Sequence, residues 1–169
     1  MNDGKPQFET LPVRRIVSGG QTGVDRGALD AAIEIGLPHG GWCPRGRLAE
    51  DGTLPPRYAL RETASARYHH RTRRNVLDSD GTLILHRGPL SGGTDLTRQF
   101  AERHEKPLLL VDLQQNPQVE SVRRWLIKHA VAVLNIAGPR ESTAPGIAEQ
   151  TRRFVVLLFA PGDSPGECL

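Results

Sequence analysis

A chain of 169 residues, 37% of them hydrophobic, can bury one sizeable core and is short for two domains of ordinary size. Its 22 Lys and Arg against 19 Asp and Glu leave a formal charge of +3, too even a balance to require a nucleic-acid partner. Two cysteines, Cys43 and Cys168, stand far apart with no thiol spaced for a metal site. No segment reaches membrane-spanning length and residues 1–12 lack an apolar signal core, so a reduced, cytoplasmic protein is expected.

Residues 1–12 and 161–169 are rich in Gly, Pro and charge and are expected to be flexible, framing a single domain at 13–160. The run 13–17 carries β-branched Val13, Ile16 and Val17 and predicts a strand. Ser18-Gly19-Gly20-Gln21-Thr22-Gly23 follows. Beyond it Val24, Ala28, Ala31, Ala32 and Ile35 recur at helical spacing until Gly36 and Pro38 close the helix. A glycine turn there lets the main chain approach a ligand without a Cβ in the way and leaves the first helical amides free for an anion. Thr22 can cap the helix or donate its hydroxyl to a phosphate-like oxygen. The turn alone is equally an ordinary structural one, because no Gly-Lys-Ser/Thr follows and GxGxxG is incomplete.

Residues 39–43 predict one short strand, 44–56 a loop with turn signals at Asp51-Gly52 and Pro55-Pro56, and 58–62 another short strand. A connection of that length in a small domain is more often functional than idle. Residues 65–78 predict a helix dominated by Arg and His. Its charges can form a solvated face or, with Arg71, Thr72 and Asn75 on one side, a cationic wall for an anionic ligand. His69 and His70 are adjacent and point apart, which disfavours a metal pair.

Strand and helix then alternate. A strand at 82–85 precedes a helix at 94–105 with Leu96, Phe100 and Ala101 inward, and 107–111 is a strand. Asn116 is expected to cap a helix with Pro117 at its first position and Val119, Val122, Trp125, Leu126 and His129 as its buried stripe. A strand at 132–136 and a last helix burying Ile147, Thr151, Phe154, Val155 and Leu158 complete the chain. Such alternation specifies an α/β fold: a Rossmann-like, doubly wound, mostly parallel sheet with helices on both faces.

In such a sheet ligands bind at the carboxyl ends of the strands. Ser91-Gly92-Gly93-Thr94, after the 82–85 strand, repeats the logic of the first turn. The loop after 132–136 supplies Arg140, whose planar fork suits an oxyanion but can also pair with Glu141 or Glu149, and Ser142 or Thr143 as cap of a helix starting near Pro145. Asn135, at a strand end, is either a ligand residue or a satisfied turn residue. No nucleophile stands beside a His and carboxylate, no carboxylate pair has acid–base spacing, and no metal-ligand cluster stands out. Asp25 and Asp95 fall in first helical turns, where a carboxylate is favoured for structural reasons. The pattern favours binding an anionic small molecule over reacting with it.

Four blocks in one order carry a resemblance: Ser18-Gly-Gly-Gln-Thr-Gly-Val-Asp-Arg26; Arg71-Thr72 with residues 75–84; Ser91-Gly-Gly-Thr-Asp95; and Asn135-Ile-Ala-Gly-Pro-Arg-Glu-Ser142 with Pro145-Gly146-Ile147. Over residues 13–159 the chain resembles the molybdenum cofactor carrier protein family. The resemblance implies a Rossmann-like fold related to the lysine-decarboxylase-like and phosphoribohydrolase group, assembly as a homo-oligomer (dimer or tetramer), and a role in holding the molybdenum cofactor (molybdopterin) or molybdate. It puts binding on Gly19, Gly20, Thr22, Gly23, Ser91, Gly92, Gly93, Thr94, Gly138, Arg140 and Ser142. Arg71, Asn75 and Asn135 join them from the chain's own pattern.

A pterin with a phosphate and an oxygen-rich metal centre needs donor-rich pockets and no compulsory protein metal ligand. Gly92-Gly93-Thr94-Asp95 lacks the third glycine of the phosphoribohydrolase Gly-Gly-x-Gly-Thr run, and the next Glu is Glu102. The expectation is a non-catalytic carrier of an anionic ligand, with no nucleic-acid or membrane partner. The alternative is a nucleotide sensor, or a nucleotide- or phosphoribosyl-binding hydrolase of N-glycosidase type acting on a nucleoside monophosphate, in which Arg140 steers phosphate and Asp95 or Glu141 polarises water.

Overall fold

The computed structural model describes residues 10–161. In chain order the elements are β1 (Arg15–Val17), α1 (Val24–Glu34), β2 (His39–Gly40), β3 (Trp42–Cys43), β4 (Leu48–Ala49), β5 (Gly52–Thr53), β6 (Arg61–Glu62), α2 (Tyr68–Leu77), β7 (Gly81–His86), α3 (Gly92–Arg103), β8 (Leu108–Asp112), α4 (Val119–Lys128), β9 (Val133–Ala137) and α5 (Ile147–Phe159). A 3-10 turn, Leu113–Gln115, joins β8 to α4.

Five strands form one parallel sheet in the order β2-β1-β9-β7-β8. The interior strand β7 reads as an unbroken run, Gly-Thr-Leu-Ile-Leu, because a parallel sheet covered on both faces has no solvent side to mark by alternation. On one face Leu83, Leu85, Leu134 and Ile136, all fully buried, meet Val24 and Ala28 of α1, Val122 and Leu126 of α4, and Ile147, Val155 and Leu158 of α5. Each buried aliphatic side chain there contributes about 1.5–3 kcal/mol against exposure. On the other face Val76 of α2 and Phe100 and Ala101 of α3 pack together with Leu96 and Leu108. The doubly wound arrangement expected from the alternation is therefore present.

The connection between β2 and α2 builds a satellite core from Cys43, Ala49, Leu54, Tyr58 and Leu60 against Leu29 of α1. The stretch expected to be a loop contains the antiparallel hairpin β4–β5, and β3 pairs in parallel with β6. Arg47 ties this segment together: its guanidinium donates to the carbonyls of Tyr58 at 2.9 Å, Leu60 at 3.1 Å and Pro55 at 3.1 Å.

Three boundaries differ from expectation. Helix α2 starts at Tyr68, three residues late, because Ser65 is engaged in a turn: its carbonyl accepts from Thr63 Oγ1 and its Oγ from the Arg67 amide. Asn116 caps no helix. The Asp112 carboxylate accepts from the Gln114 amide and closes the 3-10 turn, which Asn116 leaves in the left-handed conformation at φ 48°, so α4 begins at Val119. His129 is exposed at the end of α4, its ring 5.6 Å from that of Trp125. Helix α3 begins two residues early, at Gly92. The terminal stretches expected to be flexible lie outside the described residues apart from 10–12 and Pro161, and Leu11 packs against the main core. Among the described residues no helix is long and apolar enough to cross a membrane, and Cys43 is a buried free thiol.

Candidate anion-binding cleft

Strands β1, β9 and β7 are neighbours and parallel, so the loops that follow them meet at one edge. They enclose a cleft of about 400 Å³ together with the first turns of α2. Of the residues expected at the site, Arg71, Ser91, Gly92, Gly93, Thr94, Gly138, Arg140 and Ser142 line it.

One wall is the start of α3. Ser91 stands in extended conformation before the helix, and its carbonyl accepts from Thr94 and Asp95. No hydrogen bond of the described residues uses the amides of Gly92 or Gly93. An added Cβ at either glycine would meet no atom within 4 Å, so the backbone is open here, at the positive end of the helix dipole.

The facing wall is cationic. Arg71 donates to the buried Asp25 carboxylate at 2.8 Å, bridging α2 and α1, and lines the cleft. Gly19 makes room for this pair, since a Cβ there would stand 1.3 Å from Arg71 Nη1. The guanidinium carbons of Arg140 and Arg71 lie 5.0 and 5.8 Å from the centre of the Tyr68 ring, which also lines the cleft. Two fixed positive charges and an aromatic face thus oppose two free amides.

The first glycine turn is arranged differently from expectation. Thr22, expected to cap α1 or meet a ligand oxygen, donates its hydroxyl to the Glu50 carboxylate. Ser142 gives Glu50 its hydroxyl at 2.6 Å and its amide at 3.3 Å, and Arg140 Nη1 lies 4.0 Å away. The two hydroxyls, Ser142 first, hold the Glu50 carboxyl below its ordinary range. Gln21 Oε1 accepts from the amides of Thr22 at 3.0 Å and Glu50 at 2.8 Å. The neighbouring Asp51 makes a two-pronged pair with Arg26 of α1 and is likewise held low. The tip of the β4–β5 hairpin therefore fills the donor set that the first turn and the β9–α5 loop present.

Asn75, Asn135, Gly20 and Gly23 do not line the cleft. Asn75 accepts from the Trp42 amide at 2.7 Å and donates to its carbonyl at 3.0 Å, pinning β3 to α2. Asn135 is no strand-end residue: β9 runs on to Ala137, and the Asn135 amide donates to Thr82 Oγ1, its partner across the register, at 3.2 Å inside the sheet. Gly20, Gly23 and Gly138 allow close packing, where an added Cβ would strike Leu60, the Pro139 carbonyl and the Leu85 carbonyl respectively. Glu141 spends both carboxylate oxygens on the amides of Gly146 and Ala148 and so caps α5, in place of Ser142 or Thr143. Asp95 accepts from Arg98 at 2.8 Å and Gln99 at 2.7 Å along α3. The two carboxylates that the hydrolase alternative assigned to water are thus bound elsewhere. Among the described residues no group of three His, Cys, Asp or Glu is placed to hold a metal ion.

Gln21 and Tyr68 line the cleft and were not anticipated there, and neither was Glu50, which borders the lining through its bonds to Ser142 and Gln21. Tyr68 stands one helical turn before Arg71, and that i, i+3 spacing is the signal that finds it. Glu50 has no such local signal, lying 28 residues from Thr22 and 92 from Ser142.

The comparisons with known proteins agree with this architecture. The model of the circularly permutated YpsA SLOG family matches residues 16–159. The crystal structure of a "Putative molybdenum carrier protein" from Syntrophus aciditrophicus SB, at 1.45 Å, is 46% identical to this chain. That match covers 90% of this chain and 98% of the other, with a TM-score of 0.85. No curated protein matches the sequence. The chain belongs to the circularly permutated YpsA SLOG family.

Proposed function

We propose that the protein is a carrier that holds a pterin-type molybdenum cofactor, its phosphate at the start of α3 and its ring system toward Tyr68, without performing chemistry on it. The carrying observation is that free amides and two guanidinium groups line one cleft. The Gly92 and Gly93 amides are free on one wall, and Arg140 and Arg71 stand over an aromatic ring on the other. A volume of about 400 Å³ suits an organic ligand of pterin size, whereas a lone tetrahedral oxyanion would leave most of it empty. Asp25, which lines the cleft, and Asp95 and Glu141, which the hydrolase reading needs, are each committed to structural bonds, which supports carriage over hydrolysis. The related crystal structure bears a molybdenum carrier name, and that name adds support to this ligand class.

A nucleoside monophosphate is the second reading, favoured by the same combination of a phosphate cradle and an aromatic face. The carrier is further expected to work in the cytoplasm as a homo-oligomer, which sedimentation of the purified protein checks. Native mass spectrometry with elemental analysis, on protein purified gently from molybdenum-replete cells, separates the two ligands. Bound molybdenum with a pterin-sized adduct, lost in Arg140→Ala, is the expected result. An apo mass that gains a nucleotide on titration moves the assignment to the second reading, and base release from that nucleotide would make the protein an enzyme.

A further inference from the structure

We infer that Glu50 is a specificity-determining residue: its carboxylate occupies the oxyanion position at the first glycine turn, so that the cleft takes a ligand with one phosphate and rejects one with two linked phosphates. This rests on the cleft proposed above and narrows the ligand to the monophosphate form.

The bonds of Glu50 are those of a bound oxyanion. Oε1 accepts from the Thr22 hydroxyl and the Ser142 amide, Oε2 accepts from the Ser142 hydroxyl, and the Arg140 guanidinium stands at 4.0 Å. Helix α1 begins two residues after Thr22, so the carboxylate also sits at the positive end of that helix. In a Rossmann-like fold this is where a dinucleotide places its pyrophosphate. Here the position is already negative and the Thr22 and Ser142 hydroxyls are spent on it. A second phosphate reaching from α3 toward the first turn would meet a like charge and no free hydroxyl.

The hairpin does not need Glu50 as its only anchor, because Asp51 already holds Arg26 with two bonds, at 2.8 and 3.1 Å. Gln21 points to the same reading. It is 5% exposed and lines the cleft, its Oε1 is spent on the Thr22 and Glu50 amides, and its Nε2 has no partner among the described residues. A buried donor left over beside an anion position belongs to a site built for more acceptors than the free protein supplies.

The test is calorimetric titration of the full chain with inorganic phosphate and with inorganic pyrophosphate, on wild type, Glu50→Gln and Glu50→Ala, each checked for folding by circular dichroism. Wild type is expected to bind phosphate more tightly than pyrophosphate. Both variants are expected to bind pyrophosphate about tenfold more tightly than wild type, the scale of removing one like charge, with phosphate affinity at the α3 end little changed. An unchanged preference between the two probes, or a loss of all binding in the variants, overturns the assignment of Glu50 as an excluding group.

Should Glu50 variants fail to fold, Asp51→Asn loosens the same hairpin from Arg26. A gain for pyrophosphate there supports the inference and an unchanged ratio refutes it. Absence of phosphate binding by wild type would instead defeat the α3 site of the proposed carrier, whereas a pyrophosphate gain in the variants would still stand for Glu50.

Discussion

Replacing Gly19 by alanine isolates what the floor of the cleft contributes. The new Cβ would stand 1.3 Å from Arg71 Nη1, 2.4 Å from its Cζ and 2.9 Å from Asp25 Oδ2, so the guanidinium must leave. The Arg71 and Asp25 side chains are 12% and 4% exposed, and breaking a buried pair from one side costs about 3–5 kcal/mol. Arg71 can swing into the water of the cleft, and Asp25 keeps the Gln21 amide at 3.2 Å, which lowers the expected loss to about 2–3 kcal/mol. In a domain of this size that corresponds to a fall in Tm of about 5–10 °C.

Urea denaturation of wild type, Gly19→Ala, Arg71→Ala and the double variant measures it as a cycle. With Arg71 already removed, Gly19→Ala has little left to displace and is expected to cost below about 0.5 kcal/mol, giving a coupling of about 2 kcal/mol. Gly93→Ala, whose Cβ meets nothing within 4 Å, is the control and is expected to be neutral to slightly stabilising. Additive single effects, or a Gly19→Ala protein as stable as wild type, would refute the view that Gly19 exists to seat the Arg71–Asp25 pair.

Three further predictions concern the elements around the cleft. Asn75→Ala leaves both backbone groups of Trp42 without a side-chain partner and is expected to cost about 2 kcal/mol, with water replacing part of the loss; a red shift in tryptophan emission checks that β3 has come loose. Arg47→Ala removes bonds to the carbonyls of Pro55, Tyr58 and Leu60, so limited proteolysis is expected to cut within residues 41–67 at least tenfold faster than in wild type, by the loss of about 1–2 kcal/mol of local stability. Glu50 and Asp51 both have depressed folded values, so their stabilisation is present above the unfolded carboxylate range, near 4, and is lost as pH falls through the folded values. Unfolding free energy is therefore expected to drop on acidification below about pH 5, and Glu50→Gln to flatten that limb; equal slopes in a urea series run at several acid pH values would contradict it.

The sequence alone determined the strand–helix alternation, the parallel sheet it builds, and the two glycine turns that lead from strand ends into helices. Those features are local: apolar spacing and glycine position act within a few residues, and a parallel sheet puts the ends of neighbouring strands at one edge wherever it forms. The free start of α3 was legible for the same reason. Only the tertiary structure decided how the polar groups divide among partners. Asp25 pairs with Arg71 across 46 residues, and Glu50 claims the hydroxyls of Thr22 and Ser142 across 28 and 92. Asn135 turned from the ligand edge to Thr82 because β9 continues two residues past it, a fact of strand register and not of residue type. A carboxylate and an oxyanion ask for the same donors, so the residues that look built for a ligand are also those that a long connection folding back can satisfy first. Which of the two occupies them depends on where the β4–β5 hairpin lands, and no spacing along the chain encodes that.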